Sequence, residues 1–246
     1  MAGTIVSFVL FLLLLPGWVA VRWRKVRPWK SLGFSGFLTF QFWNYFLRGI
    51  VCSLSLLSLI ILLAVWSSSA YWFASLSLGK LINALLLGIG VGFAEELIFR
   101  GWLWGELVEL IGSRRAIICQ AIIFSLVHIR FDLQFFELLV LYFGLFLLGL
   151  VLALRRIVDA GSLGGCIGMH GGLVGIWFVL QACFVQFPFN APWWLLGPGG
   201  LNPNPLGGLV GICALIGIIW THRTAFANAG SPFNGALKAS SRGAFP

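Results

Sequence analysis

Charged residues are scarce in this sequence, and acidic residues are the scarcest. Asp, Glu, Lys and Arg together make up only 9% of the 246 residues, and just 7 residues are acidic. So little charge beside 60% hydrophobic residues excludes the surface of an ordinary soluble domain. Several apolar runs of about 20 residues instead match the thickness of a bilayer core. The sequence therefore predicts a multi-pass membrane protein.

Paired cysteines and a continuous basic patch are also absent. The five cysteines stand singly within apolar stretches, without the spacing of a zinc ribbon or a redox motif. The net charge of +9 comes from basic residues that lie between the apolar runs. No nucleic-acid partner is therefore predicted. Membrane lipids are the expected surroundings, and the sequence leaves the oligomeric state open.

Seven apolar segments predict an all-α transmembrane bundle of about seven spans, with a range of six to eight. They lie near residues 4–21, 48–66, 80–110, 115–128, 133–154, 163–187 and 206–220. We expect amino-terminal transmembrane helices and a basic cytoplasmic loop in residues 1–78, and the core bundle in residues 79–220. Residues 221–246, rich in Ala, Gly and Ser, are predicted to be a disordered tail.

The distribution of basic residues predicts the orientation of the bundle. If the seven spans alternate in direction, one side of the membrane holds 14 Lys and Arg residues, and the other side holds Lys80 and Arg130. Basic residues are enriched in cytoplasmic loops. The carboxyl terminus is therefore predicted to be cytoplasmic.

An acidic pair, Glu95 and Glu96, interrupts the third apolar segment, and Arg100 follows one turn later. Each unpaired charged side chain at mid-bilayer raises the free energy of membrane insertion by about 2.5 to 3.5 kcal/mol. Helical spacing brings Arg100 near Glu96 and directs Glu95 elsewhere, because residues four apart lie on one face. We therefore expect a Glu96–Arg100 ion pair and a free Glu95, which suits a general base.

Two histidines, His128 and His170, also lie in predicted spans. Glu95 comes 17 residues before Gly112 and His128 comes 16 after it, so an antiparallel hairpin would place both at one depth. Phe124 lies one turn before His128 on the same helical face. A Glu and two His are also the ligands of open zinc sites. The sequence leaves two alternatives open, a divalent metal such as zinc held by Glu95, His128 and His170, or water activated without a metal.

These residues form recognisable motifs in order along the chain. Glu95-Glu96-Leu-Ile-Phe-Arg100 matches EExxxR, Phe124-Ser-Leu-Val-His128 matches FxxxH, and His170 follows Gly144, Gly149 and Ser162-Leu163. From about residue 86 to 176, the chain resembles the CPBP family of intramembrane proteases, which includes CAAX prenyl endopeptidases and bacteriocin-processing proteins. The resemblance implies hydrolysis of a peptide bond in a membrane-embedded peptide or lipopeptide. It implies catalytic roles for Glu95, Glu96, His128 and His170, with support from Arg100 and Phe124.

One position departs from the family pattern. Many members carry Asn or Asp four residues after the last histidine, and here that position is Val174. This departure favours the alternative of a non-catalytic membrane adaptor or chaperone. A proton-coupled transporter ranks last, because the sequence has no inverted repeat. The uncharged loop 187–205, with five prolines and Trp193-Trp194, is predicted either to cap a cavity or to form an aromatic belt.

Overall fold

The computed structural model describes residues 2–34, 36–188 and 191–228, and these residues form a predominantly α-helical fold. The helices are α1 (Ala2–Arg22), α2 (Phe40–Trp66), α3 (Leu78–Glu96), α4 (Trp104–Ile111), α5 (Ser113–Val127), α6 (Phe135–Val158), α7 (Gly164–Val179), α8 (Trp193–Leu196), α9 (Leu209–Thr221) and α10 (Arg223–Asn228). Wider π-helical turns cover Lys30–Phe34, Leu97–Leu103 and Leu180–Phe184, and a 3₁₀ turn covers Pro205–Gly207. The all-α prediction is confirmed. It missed two short strands, β1 (Tyr71–Trp72) and β2 (Val185–Gln186), which pair antiparallel.

Each of the seven predicted spans contains a helix, but not every helix is long enough to cross a membrane. Within the described ranges, four segments have the necessary length and apolarity: Phe40–Trp66, Leu78–Ile111, Phe135–Val158 and Gly164–Phe184. The apolar stretches Val6–Arg22 and Leu209–Thr221 are shorter, and α5 has 15 residues. A helix of that length spans about 22 Å, less than the roughly 30 Å of a hydrocarbon core. The chain is an integral membrane protein, and the count of seven spans is not confirmed.

Helix α7 is the centre of the bundle, because α2 and α3 both pack against it. The contact between α3 and α7 is nearly backbone to backbone. A Cβ at Gly92 would lie 2.8 Å from Gly171 Cα, and a Cβ at Gly88 would lie 2.8 Å from the Gly171 carbonyl oxygen. Small residues permit such close approach between membrane helices. The last turn of α3 is consequently held beside the middle of α7.

Replacing Gly92 with alanine is therefore expected to destabilise the bundle. The new methyl group would meet backbone atoms of α7 that cannot rotate away, so α3 must shift, at a cost of about 1–3 kcal/mol. Gly90→Ala is the matched control on the same helix, because a Cβ there meets nothing within 4 Å. Thermal unfolding of the two purified variants in detergent measures the difference. Equal melting temperatures for both variants would contradict the close α3–α7 contact.

The long third segment folds back at Gly112, as the sequence predicts. Gly112 has a φ of +81°, which glycine adopts without strain, and its N–H donates to the Val108 carbonyl at 3.1 Å. Helices α4 and α5 pack against each other on the two sides of this turn. The hairpin thereby returns α5 past the end of α3.

Glu106 of α4 attaches helix α1 to this hairpin. Its Oε1 atom accepts hydrogen bonds from Trp18 Nε1 at 2.6 Å and from Trp23 Nε1 at 2.8 Å. Arg22 Nε lies 3.4 Å from Glu106 Oε2. One carboxylate thus fixes the carboxyl-terminal end of α1 against the core.

The first part of the predicted disordered tail is helical. Residues Arg223–Asn228 form α10, which packs against α6 and α9. Residues 229–246 lie outside the described residues. The proposed boundaries at residues 78 and 220 and the cytoplasmic orientation of the carboxyl terminus stay predictions.

Candidate active site

Three polar side chains from three separate helical segments meet inside the bundle. Glu95 lies in the last turn of α3, His128 directly follows α5, and His170 lies in the middle of α7. Glu95 Oε2 is 3.2 Å from His128 Nε2 and 3.8 Å from His170 Nε2. The predicted matching depth of Glu95 and His128 is confirmed by this contact. Their chemical roles stay predictions.

The orientation of His128 follows from the end of α5. The helix stops at Val127, and the His128 Nδ1 atom lies 2.7 Å from the Phe124 carbonyl oxygen. A carbonyl oxygen only accepts hydrogen bonds, so we assign the proton to Nδ1. In the neutral imidazole, Nε2 then presents a lone pair towards Glu95.

His170 has the same assigned tautomer for a different reason. Its Nδ1 atom lies 2.8 Å from Glu96 Oε1, and an ionised carboxylate also only accepts. The same Glu96 oxygen accepts from Arg100 Nη1 at 2.7 Å, and the Glu96 and Arg100 side chains are fully buried. The predicted Glu96–Arg100 pair is confirmed. The contact from Glu96 to His170 was not predicted, because it depends on the packing of α3 against α7, which no spacing along the chain reveals.

Phe124 is the shared surface on which these groups pack. Its ring centroid lies 4.5 Å from that of His128 and 5.6 Å from that of His170. The Arg100 guanidinium carbon lies 4.2 Å from the same ring centroid, at cation–π distance. The predicted packing of Phe124 with His128 is confirmed, and the contacts with His170 and Arg100 extend it.

A wide helical turn follows Glu96 and carries Arg100. Residues Leu97–Leu103 form this π-helical turn, a feature that is frequent at functional sites. Arg156 of α6 donates to the Arg100 carbonyl, and also to the carbonyl oxygens of Ser31 at 3.0 Å and Gly161 at 3.2 Å. Sequence reasoning treated Arg156 only as a topology signal. Its side chain instead fixes the backbone behind the Glu96–Arg100 pair.

A cavity of about 360 Å³ opens beside Glu95, His128 and His170. Val174 and Leu173 lie on its wall, and residues from Asn202 to Leu206 lie across it. The loop 187–205 therefore caps a cavity at this end, as one of the two predictions for it stated. Trp193 and Trp194, at the other end of the loop, are exposed as an aromatic belt requires.

Arg130 lies at the edge of the cavity and ties the capping loop to the end of α5. Its Nη1 atom donates to the Asn202 carbonyl at 3.2 Å, and its Nη2 atom donates to Asp132 Oδ2 at 2.6 Å. The hydrogen bond from Arg130 lowers the pKa of the exposed Asp132 carboxyl. The Asp132 carboxyl consequently stays ionised at neutral pH.

With both imidazoles neutral, three hydrogen-bond acceptors converge at the site. Glu95 Oε2 is a buried atom that receives no direct hydrogen bond within the described part of the chain, and the two Nε2 atoms face it. In the same part of the chain, no group of three His, Cys, Asp or Glu residues is arranged to hold a metal ion. A divalent metal held by Glu95, His128 and His170 stays a prediction. The three acceptors suit a water molecule, which donates two hydrogen bonds to such acceptors.

Residues 76–176 match the family of Rce1-like type II CAAX prenyl endopeptidases. The matched residues include both motifs and His170, so the resemblance seen in the sequence is confirmed.

Residues 76–176 are therefore similar to the CAAX protease family. The Rce1-like segment runs from two residues before α3 to Ile176, in the last turn of α7, and it covers less than half of the chain. No curated protein and no solved structure matches the chain. Helices α1 and α2 and the capping loop lie outside the Rce1-like segment, although the loop contributes to the same cavity.

Proposed function

We propose that this chain is an endopeptidase that hydrolyses a peptide bond within the membrane, with Glu95 as the general base. The observation that carries the proposal is the convergence of His128 Nε2 and His170 Nε2 on Glu95 Oε2, an oxygen that lacks a direct hydrogen bond. A buried cluster of acceptors next to a cavity needs a donor, and water is the donor that hydrolysis requires.

In the proposed reaction, the water donates one hydrogen bond to Glu95 and the other to His128. Glu95 removes the first proton as the water oxygen attacks the carbonyl carbon of the scissile peptide bond. The protonated Glu95 then gives that proton to the leaving nitrogen as the carbon–nitrogen bond breaks. One water is consumed, and the products are a carboxylic acid and an amine.

Glu96 and Arg100 take no part in this proton transfer. Glu96 Oε1 accepts from both Arg100 and His170, so it keeps the His170 proton on Nδ1 and leaves Nε2 available. This carboxylate therefore orients a catalytic histidine. Its role resembles that of the acidic partner that orients histidines in metal sites and catalytic triads.

The substrate class we propose is a peptide with a prenylated cysteine close to its carboxyl terminus. The description of the matched family names CAAX prenyl endopeptidases, and CAAX sequences are prenylated on their cysteine. The cavity wall beside the polar cluster is apolar, with Leu57, Leu148 and Leu173 among its residues. Such a wall suits a lipid-modified peptide that arrives from the bilayer.

Purified protein in liposomes tests this proposal with a farnesylated CAAX peptide and its unmodified counterpart. We expect the wild type to release the terminal tripeptide from the farnesylated peptide, and we expect His128→Ala to lose this activity. His222→Ala is the matched control, because His222 lies at the end of α9 and contacts Thr221 and Ile218. A wild type that cleaves neither peptide, nor any member of a lipopeptide library, would favour the non-catalytic adaptor to which Val174 points.

A further inference from the structure

The cavity has hydrogen-bond acceptors for a water molecule, but the reaction also needs a donor. When water attacks a peptide carbonyl, the carbonyl oxygen becomes negatively charged. This oxyanion must be stabilised by hydrogen-bond donors that are already in place. Glu95 Oε2 and the two Nε2 atoms cannot serve while they accept hydrogen bonds. Val174 lies one helical turn after His170 on the cavity wall and has no polar side-chain atom. A donor must therefore come from elsewhere on the wall.

The capping loop brings Asn204 to this cavity. Asn204 Oδ1 accepts a hydrogen bond from the Leu206 N–H at 3.1 Å, which assigns the oxygen of the side-chain amide. The Nδ2 group on the other side of the amide donates no hydrogen bond to the rest of the described residues. Its two N–H bonds are therefore available to a molecule in the cavity.

The Asn204 backbone is fixed on both sides. Its N–H donates to the Pro198 carbonyl at 2.9 Å, and its carbonyl accepts from the Gly207 N–H at 3.1 Å. The neighbouring Pro203 carbonyl accepts from Trp177 Nε1 of α7 at 3.1 Å. Pro203 and Pro205 further restrict the chain on either side of Asn204. An amide held in this way is preorganised, which an electrostatic stabiliser requires.

The other polar groups on the wall are less suited to this role. Trp177 Nε1 already donates to the loop, and Arg130 is paired with Asp132. Gln181 lies in the π-helical turn after α7 and contacts the same cavity. Its longer side chain has no hydrogen bond that fixes it among the described residues, so ordering it would cost more conformational entropy.

We propose that Asn204 is a further catalytic residue, whose Nδ2 group donates to the oxyanion formed during hydrolysis. This inference rests on the proposed function. It assigns to the capping loop, which lies outside the Rce1-like segment, the donor that Val174 does not supply.

Asn204→Asp tests the inference, because aspartate keeps the oxygen that caps Leu206 but replaces the donor with a negatively charged oxygen. Loss of one such donor lowers kcat by about 10²- to 10³-fold in other hydrolases. We expect that loss with the farnesylated peptide, with KM nearly unchanged. A phosphonate analogue of the same peptide, which imitates the tetrahedral intermediate, should bind correspondingly more weakly. A purely structural role would not weaken the analogue selectively.

Gln134→Glu is the matched control, because it makes the same amide-to-carboxylate change on an exposed side chain outside the cavity lining. Asn204→Ser, which also keeps a capping oxygen, is the second test variant if the aspartate variant unfolds. An active wild type with an inactive Glu95→Gln variant and an unimpaired Asn204→Asp variant would overturn this inference and leave the proposed function standing. A loss of activity in Gln181→Leu but not in Asn204→Asp would also overturn this inference and leave the proposed function standing. A wild type that hydrolyses nothing would overturn both.

Discussion

Glu95→Gln is expected to lower kcat for the farnesylated peptide by about 10²- to 10⁴-fold, the usual contribution of a general base. The amide has the size of the carboxylate but cannot take a proton from water at neutral pH. Glu95 Oε2 receives no direct hydrogen bond within the described residues, and its 3.2 Å contact with His128 Nε2 is an ion pair only when His128 is protonated. With a neutral His128, the substitution therefore removes no bond that stabilises the fold. The variant should therefore unfold at the wild-type temperature or above it. Initial rates and thermal unfolding of the same preparation measure both effects.

Glu109→Gln is the matched control for this prediction. Glu109 is an exposed carboxylate on α4, farther along the same segment. The Glu109→Gln variant should keep wild-type activity. That result would show that loss of a carboxylate does not by itself lower activity. Full activity in Glu95→Gln would remove Glu95 from the mechanism. An unfolded Glu95→Gln variant would instead assign the residue to the structure.

Arg100→Met is expected to cause the largest loss of stability. The substitution leaves Glu96 fully buried without its arginine, and breaking a buried ion pair costs about 3–5 kcal/mol. It also removes the guanidinium group that packs over the Phe124 ring. The melting temperature in detergent should fall well below that of the wild type, and the hydrolytic activity should fall with it because His170 loses its fixed partner.

Two further variants separate the charge effect from the loss of a long side chain. Arg115→Met removes an exposed arginine at the start of α5 and should melt like the wild type. The double variant Glu96→Gln/Arg100→Met should be more stable than Arg100→Met alone, because it leaves no unpaired buried charge. If the double variant is less stable than the single variant, the Glu96–Arg100 pair is not the cause of the instability.

The parts of the site that lie on one helix or one hairpin could be predicted from the sequence. Helical geometry alone pairs Arg100 with Glu96, and equal residue counts on either side of Gly112 bring His128 to Glu95. Both predictions depend on a constant rise per residue, which is nearly uniform along membrane helices.

The parts that depend on packing between distant segments could not be predicted. The bond between Glu96 and His170 requires the close contact of α3 and α7, and Arg156 reaches the Arg100 carbonyl across α6. Asn204 enters the cavity only because the capping loop folds back over α7. The count of seven spans is not confirmed for a related reason. Hydropathy identifies apolar helices, whereas length decides whether a helix crosses the bilayer.

A single-turnover reaction in heavy-oxygen water tests most directly whether Glu95 activates water. Enzyme in excess would cleave the farnesylated peptide once, and mass spectrometry would locate the heavy oxygen. If Glu95 acts as a base, one heavy oxygen appears in the new carboxyl group of the product, and none appears in Glu95. If Glu95 instead attacks the peptide to form a mixed anhydride and water opens that anhydride at the Glu95 carbonyl carbon, the product of the first turnover carries ordinary oxygen and Glu95 gains the heavy atom, which would contradict the mechanism proposed for this site.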